Sequence, residues 1–260
     1  MPRTFLRRIL PAAIALALSA ACKSAPLPVE PDRPPATIPP PARPSIHVLM
    51  VTATAGYRHD SILTARQTVA ALGASSGDFD ATATEDLSVI SRSGLAAFDV
   101  LFFAMTSGEL PLSADQKTAM LEFVSGGKGF LGTHSATDTL YEWADYGSLV
   151  GAYFREHPWT QQAAVVVEDQ SHPSTMGLGG RFTIVEEFYT FRDNPRGRVQ
   201  VLLRLDPVSV ASAGDYPLAW AHSFGAGRAY YNALGHFPET WSDARFQRQL
   251  AGAIRWVAGR

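Results

Sequence analysis

Three short polar segments of this sequence hold side chains suited to acid–base or ligand chemistry where a strand gives way to a turn. They are Ala53-Thr54-Ala55-Gly56-Tyr57-Arg58-His59-Asp60, Met105-Thr106-Ser107-Gly108-Glu109 and Gly132-Thr133-His134-Ser135-Ala136-Thr137-Asp138. Imidazole titrates near neutrality, so it serves as base, acid or metal ligand after small changes of environment. The third segment is the most informative. Its Gly-x-His-x-Ala frame has the small residues two places either side of the centre that a sharp strand–turn–helix demands. Hydrolases built on that elbow carry serine or cysteine at the centre, whereas here it is His134, a poor hydrolytic nucleophile. Ser135 lies off-centre, and a serine-hydrolase reading has little weight.

These segments must be delivered by regular elements. Ile46–Thr52 is an apolar run of strand length, and Ser61–Ala74 has helical spacing with Ile62, Ala65, Val69 and Leu72 on one face. Asp78–Thr84, Asp99–Ala104 and Gly129–Gly132 read as further strands. Ser113–Ser125 reads as a helix opened by a Ser113/Gln116 capping box and closed by Gly126-Gly127, and another helix is expected near Thr139–Val150. Strands and helices alternating with short joins imply a parallel sheet with helices on both faces, a three-layer α/β domain of flavodoxin-like type. The second half changes rhythm. Ala163–Glu168, Phe182–Phe191 and Val199–Leu205 read as strands, and Tyr216–Ser223 and Gly227–Leu234 flank Phe224-Gly225-Ala226-Gly227 as a hairpin, so antiparallel additions are expected there. The last helix, Asp243–Val257, presents Phe246, Leu250, Ile254 and Val257, with Ser242 as its expected N-cap. In such sheets ligands bind beyond the carboxyl ends of the strands, where all three polar segments lie.

Composition narrows the chemistry. The 260 residues are 46% hydrophobic and 18% charged, which excludes a disordered chain and a polytopic membrane protein. Arg3, Arg7 and Arg8 precede the apolar run Ile9–Leu18 and then Ser19-Ala20-Ala21-Cys22, a basic, apolar and small-residue series that reads as a signal peptide over residues 1–22. Cysteine directly after the small residues resembles the lipobox of bacterial lipoproteins, which makes Cys22 the expected site of lipidation. Lys23 behind it resembles sorting to the outer membrane. Residues 23–44 hold nine of the 18 prolines and read as an extended linker, leaving 45–260 as one domain. The expected location is the cell envelope, on the periplasmic side, with membrane contact only through an N-terminal lipid. The leader takes six basic residues and only two acidic ones, so the domain is more acidic than the whole chain's −2 and has no nucleic-acid footprint. Cys22 is the one cysteine, which removes zinc–thiolate sites, disulfides and thiol nucleophiles from the domain. Gly126-Gly127-x-Gly129 ends a helix and lacks a following Lys-Ser/Thr, so it is no phosphate loop.

Several blocks resemble the trehalose-utilisation (ThuA-like) family. They are Thr54–Ile62, Gly129–Thr139, Leu149–Pro158, His172–Thr175, Glu186-Glu187-Phe188-Tyr189-Thr190-Phe191, Leu234-Gly235-His236 and Ile254-Arg255-Trp256. Ser135 stands where alanine is common, and Glu186 where aspartate is common. The resemblance implies a class I glutamine amidotransferase-like fold without its chemistry, since glutamine hydrolysis needs a cysteine at the elbow. It also implies a role in sugar metabolism, around 3-keto derivatives of disaccharides supplied by a partner dehydrogenase.

Six of the seven histidines fall in or after these blocks; His47 sits inside the first strand and is read as structural. Two chemistries compete for the rest. In one, His59, His134, His157 and His236 hold a divalent cation, with Asp60, Asp138 or Glu187 as oxygen ligands. In the other, imidazoles and carboxylates transfer protons beside the carbonyl of a keto sugar, with His134 as base, His59 and Asp60 beside it, Asp138 orienting, and Arg58 holding the enolate charge. Tyr57, Trp143, Glu187 and Tyr189 are the remaining expected substrate contacts. His222 reads as solvent-facing and His172-Pro173 as a turn. A non-catalytic sugar-binding or scaffold lipoprotein is the alternative.

Overall fold

The computed structural model describes residues 46–260. The signal segment, Cys22 and the proline-rich linker lie outside the described residues. The chain runs β1 (Ile46–Val51), α1 (Ile62–Ser76), β2 (Phe79–Thr84), α2 (Arg92–Leu95), β3 (Val100–Ala104), α3 (Ala114–Ser125), β4 (Gly129–Thr133) and α4 (Ala144–Val150). It continues through β5 (Phe154–Val167), β6 (Arg181–Phe191), β7 (Gln200–Leu205), β8 (Tyr216–Phe224), β9 (Gly227–Asn232), α5 (Pro238–Ser242) and α6 (Ala244–Val257). All strands join one sheet in the order β2-β1-β3-β4-β9-β8-β7-β5-β6. The stretch from β2 to β9 is parallel and the remaining pairings are antiparallel. The α/β class and the antiparallel additions of the second half are as expected. Among the described residues no helix is long and apolar enough to cross a membrane.

β3 and β4 are buried along their whole length because helices cover both faces of the sheet. α1, α5 and α6 pack together on one side, with α6 against β4 and β9, while α3 and α4 touch those same strands and α3 also touches α2. Phe246, Leu250, Ala253, Ile254 and Val257 form the buried stripe of α6. The capping box on α3 is present, Gln116 N–H donating to Ser113 Oγ and Ser113 N–H to Gln116 Oε1. Ser242 does not cap α6. It closes α5, and Asp243 takes the Arg245 N–H instead.

Two other departures bear on the site. No helix begins at Thr139, because Leu140 takes a left-handed φ of 56°; a tight 3-10 turn spans His134–Asp138, and α4 starts at Ala144. β5 begins at Phe154, not Ala163, because β6 pairs with it over that whole length. Its register slips between Phe154 and Glu156 and again between Glu156 and Trp159. Pro158, which donates no backbone hydrogen bond, lies within the second slip. Such bulges turn side chains away from the regular alternation, and this one carries His157.

Candidate functional site

The parallel register builds the site. Thr133 at the end of β4 is level with Asn232 at the end of β9. The next residues, His134 and Ala233, are therefore neighbours, and His134 Nδ1 lies 2.8 Å from the Ala233 carbonyl oxygen. A carbonyl only accepts, so Nδ1 carries the proton and Nε2 of the neutral ring is a lone pair pointing the other way. The turn that holds it is tight. A Cβ on Gly132 would lie 3.1 Å from the Ala136 Cβ, and His134 itself has φ of 47°. A left-handed histidine costs conformational energy and survives only where its surroundings impose it.

Four side chains converge on that lone pair. His134 Nε2 is 3.3 Å from His236 Nδ1 and 3.4 Å from Glu187 Oε2, and His236 Nδ1 is 3.1 Å from the same oxygen. His59 completes a group whose ligand atoms all fall within 4.8 Å of one another. The Tyr189 hydroxyl donates to His134 Nε2 at 3.0 Å. His59 comes from the loop after β1, His134 from the end of β4, His236 from the loop after β9, and Glu187 and Tyr189 from β6. Donors about 2.0–2.1 Å from a tetrahedral ion stand about 3.3 Å apart, the separation seen among His134, His236 and Glu187. Acceptors at this spacing in a buried place need a cation or a shared proton between them. The residues therefore fit a divalent ion, and the nitrogen-rich donor set suits a late first-row metal better than magnesium or calcium.

Electrostatics agree. Burial, together with the neighbouring His134 and His236, drops His59 to about 3, so it stays neutral. Burial works against charge on Glu187, but protonated forms of the His134 and His236 rings, by hydrogen bond and by charge, outweigh it and hold the carboxyl below the usual range, as a cation in the same place would. Burial likewise opposes a charged His236, and Glu187 overcomes it, raising that imidazole. Asp138 behaves in the opposite way: desolvation raises it, offset only in part by the Tyr141 hydroxyl that donates to Oδ1 at 2.7 Å.

A cleft of about 270 Å³ opens onto the group, lined by Tyr57, His59, Asp138, Phe154, His157, Glu187, Tyr189 and His236. His134 is fully buried beneath it and does not line it, a position suited to a ligand and not to a base that meets substrate. His157 stands at the half-exposed rim with Nδ1 3.3 Å from Glu187 Oε1; Glu187, not His157, supplies the fourth member of the compact group. Tyr57 is exposed and meets the His59 ring edge-on. Arg58 and Asp60 line another depression that shares His59 with the cleft, and Arg58 is spent in a paired contact with Glu85. Trp143 does not reach the cleft; it stacks on Tyr146 under the Lys117 ammonium. His47 pairs with Asp80 near the surface. His172 is more than a turn, being buried between Tyr230 and Trp256, and His222 is not solvent-facing, its ring nitrogens being shielded.

Sequence reasoning missed the role of Glu186. It is fully buried and accepts from the backbone N–H groups of Gly235 and His236, both at 3.0 Å, and from Thr240 Oγ1 at 2.7 Å. The Gly235 carbonyl in turn accepts from Ser61 Oγ and Trp241 Nε1. Glu186 thus pins the loop that presents His236. The signal that could have revealed it was the pair Glu186-Glu187 in a strand, since alternation sends one carboxylate to each face.

Residues 47–257 match the family model described as ThuA, trehalose utilisation. Among solved structures the chain is similar to a ThuA-like protein from Bacteroides uniformis, with TM-score 0.69 and 23% identity over 82% of this chain and 91% of that one. A ThuA-like protein from Parabacteroides merdae gives TM-score 0.66 and 17% identity over 82% and 90%. A GMP synthase protein from Thermoplasma acidophilum gives TM-score 0.51 and 15% identity over 82% and 94%, a likeness of fold alone. No curated protein sequence matches.

Proposed function

The chain belongs to the ThuA, trehalose-utilisation, family, and from that premise we propose that it is an enzyme acting on an oxidised disaccharide or glycoside by metal-assisted acid–base chemistry. The observation that carries this reading is the convergence of His59, His134, His236 and Glu187 under one cleft, with three donor separations of 3.1–3.4 Å. Those four residues would hold the ion, which supplies Lewis-acid stabilisation of negative charge on a carbonyl oxygen.

The chain's own groups do the proton work. His157 faces the cleft with Nδ1 against Glu187 Oε1, so the carboxylate orients the ring and leaves Nε2 free to take a proton from the carbon beside a keto group. Asp138, raised by burial and held by Tyr141, faces the same cleft as the proton donor. In an elimination from a 3-keto glycoside, the C–H proton passes to His157, the carbon–carbon double bond forms as the glycosidic C–O bond breaks, and Asp138 protonates the departing oxygen. Tyr189 and Tyr57 flank the sugar. A 3-keto substrate has to be supplied by a sugar dehydrogenase acting earlier.

The basic-apolar-small series ending in Cys22 supports export and anchoring as an outer-membrane lipoprotein facing the periplasm. Incubating the purified domain with 3-keto-trehalose, with and without chelator, tests the activity. Release of free sugar that chelation stops and zinc restores is the expected result. No turnover in any condition refutes the reading.

A further inference from the structure

We propose that the cleft continues past Tyr189 into a second binding site for the non-reacting ring of the saccharide, so that the ligand has at least two rings; this rests on the carbohydrate reading above. The depression next to the cleft has a volume of about 250 Å³, and Tyr189 lines both. Each alone is smaller than the ~300–1,000 Å³ usual for a complete small-molecule site, whereas two neighbouring ones of near-equal size suit a ligand of two equal rings. The chain divides between them residue by residue, Phe154 lining the cleft and Arg155 the second depression.

Arg192 joins the two. Its guanidinium lies 4.0 Å from the centroid of the Tyr141 ring, and the hydroxyl of that ring donates to Asp138, which lines the cleft. The other charges of the second depression are matched, Arg155 with Glu156 and Asp215 with Arg196, whereas Arg192 makes no salt bridge among the described residues. A guanidinium seated over an aromatic ring keeps N–H donors that neighbouring hydroxyl oxygens of a sugar can accept. Tyr216, half-buried and braced edge-on by Trp159 at 4.9 Å, supplies the apolar ring against which the face of a pyranose packs. One such cation among matched pairs suits a neutral ring better than a phosphate, which calls for several.

Ligand-observed NMR titration of the zinc-loaded domain with methyl glucoside and with trehalose tests this. The wild type is expected to bind trehalose at least tenfold more tightly. Arg192→Ala, Tyr216→Phe and Tyr216→Ala are each expected to lower that preference, with Tyr216→Ala abolishing it, while methyl glucoside affinity and bound zinc stay unchanged in variants that remain folded at the assay temperature. Equal affinity of the wild type for the two sugars overturns the second site and leaves the first. A trehalose preference that survives the Arg192 and Tyr216 substitutions, or equal losses for both sugars, overturns it too. Failure of the wild type to bind either sugar refutes the carbohydrate reading itself, and this inference with it.

Discussion

His134 and Glu187 meet with 3.4 Å between Nε2 and Oε2, while the other nitrogen of that imidazole is bonded to the Ala233 carbonyl. The backbone therefore decides which nitrogen faces the carboxylate. With His236 Nδ1 at 3.1 Å from the same oxygen, the group is built as a receptor for positive charge.

Removing either member should empty the receptor. His134→Ala and Glu187→Gln are each expected to weaken zinc binding by at least ~10–100-fold, the range seen when supporting groups alone are lost. Competition with a chromophoric chelator reads this directly, and wild-type affinity in both variants would show that the ion binds elsewhere.

His157 should behave differently, because it lies outside the compact group. His157→Gln is expected to lower kcat on a keto glycoside by ~10²–10⁴-fold with zinc content unchanged, as for loss of a general base. Parallel metal analysis and steady-state kinetics separate the two effects. Loss of zinc in this variant would make His157 a ligand and return the role of base to another residue.

Glu186 is the structural partner of the site. Glu186→Ala leaves the Gly235 and His236 N–H groups without their acceptor, and a cost of roughly 2–4 kcal/mol is expected from the two orphaned donors. Denaturant unfolding measures it. A variant as stable as the wild type would show that the His236 loop is held by other contacts.

Acid should destabilise the domain through its buried histidines. Burial lowers His172 from 6.5 to about 4, so between those values the unfolded chain binds more protons than the folded one. Stability therefore rises with pH across that window and falls on acidification. His172→Gln should flatten the slope by about 1 kcal/mol per pH unit at most. Melting temperatures of both proteins from pH 4 to 7 decide it, and identical slopes would mean that His172 does not contribute.

The parallel half of the fold was legible because its signals are local. Apolar runs, the Ser113/Gln116 box and the Gly132–Ala136 elbow each act within a few residues, and they delivered His59 and His134 to strand ends of the same sheet. What was not legible depends on partners distant in sequence. That β9 lies parallel to β4, which brings His236 beside His134, follows from pairing and not from the hairpin pattern that made the strand visible. The early start of β5 is imposed by β6, and His157, which meets Glu187, lies inside a register slip that the sequence does not announce. Glu186 and Glu187 read alike as letters, yet the pleat makes one a buried anchor and the other a cleft carboxylate. Trp143 misled because a tryptophan beside a polar turn looks free to bind, whereas Tyr146 and Lys117 already occupy its faces. The cap of α6 moved by one residue for a simpler reason: serine and aspartate stand side by side, and both cap well.

The most direct test is a crystal structure of the zinc-loaded domain with anomalous scattering recorded on both sides of the zinc edge. One strong peak per chain is expected about 2 Å from His134 Nε2, His236 Nδ1 and Glu187 Oε2, absent from His134→Ala crystals grown in the same way. A wild-type map with no peak there, or a peak that persists in the variant, would contradict a metal centre built on these residues.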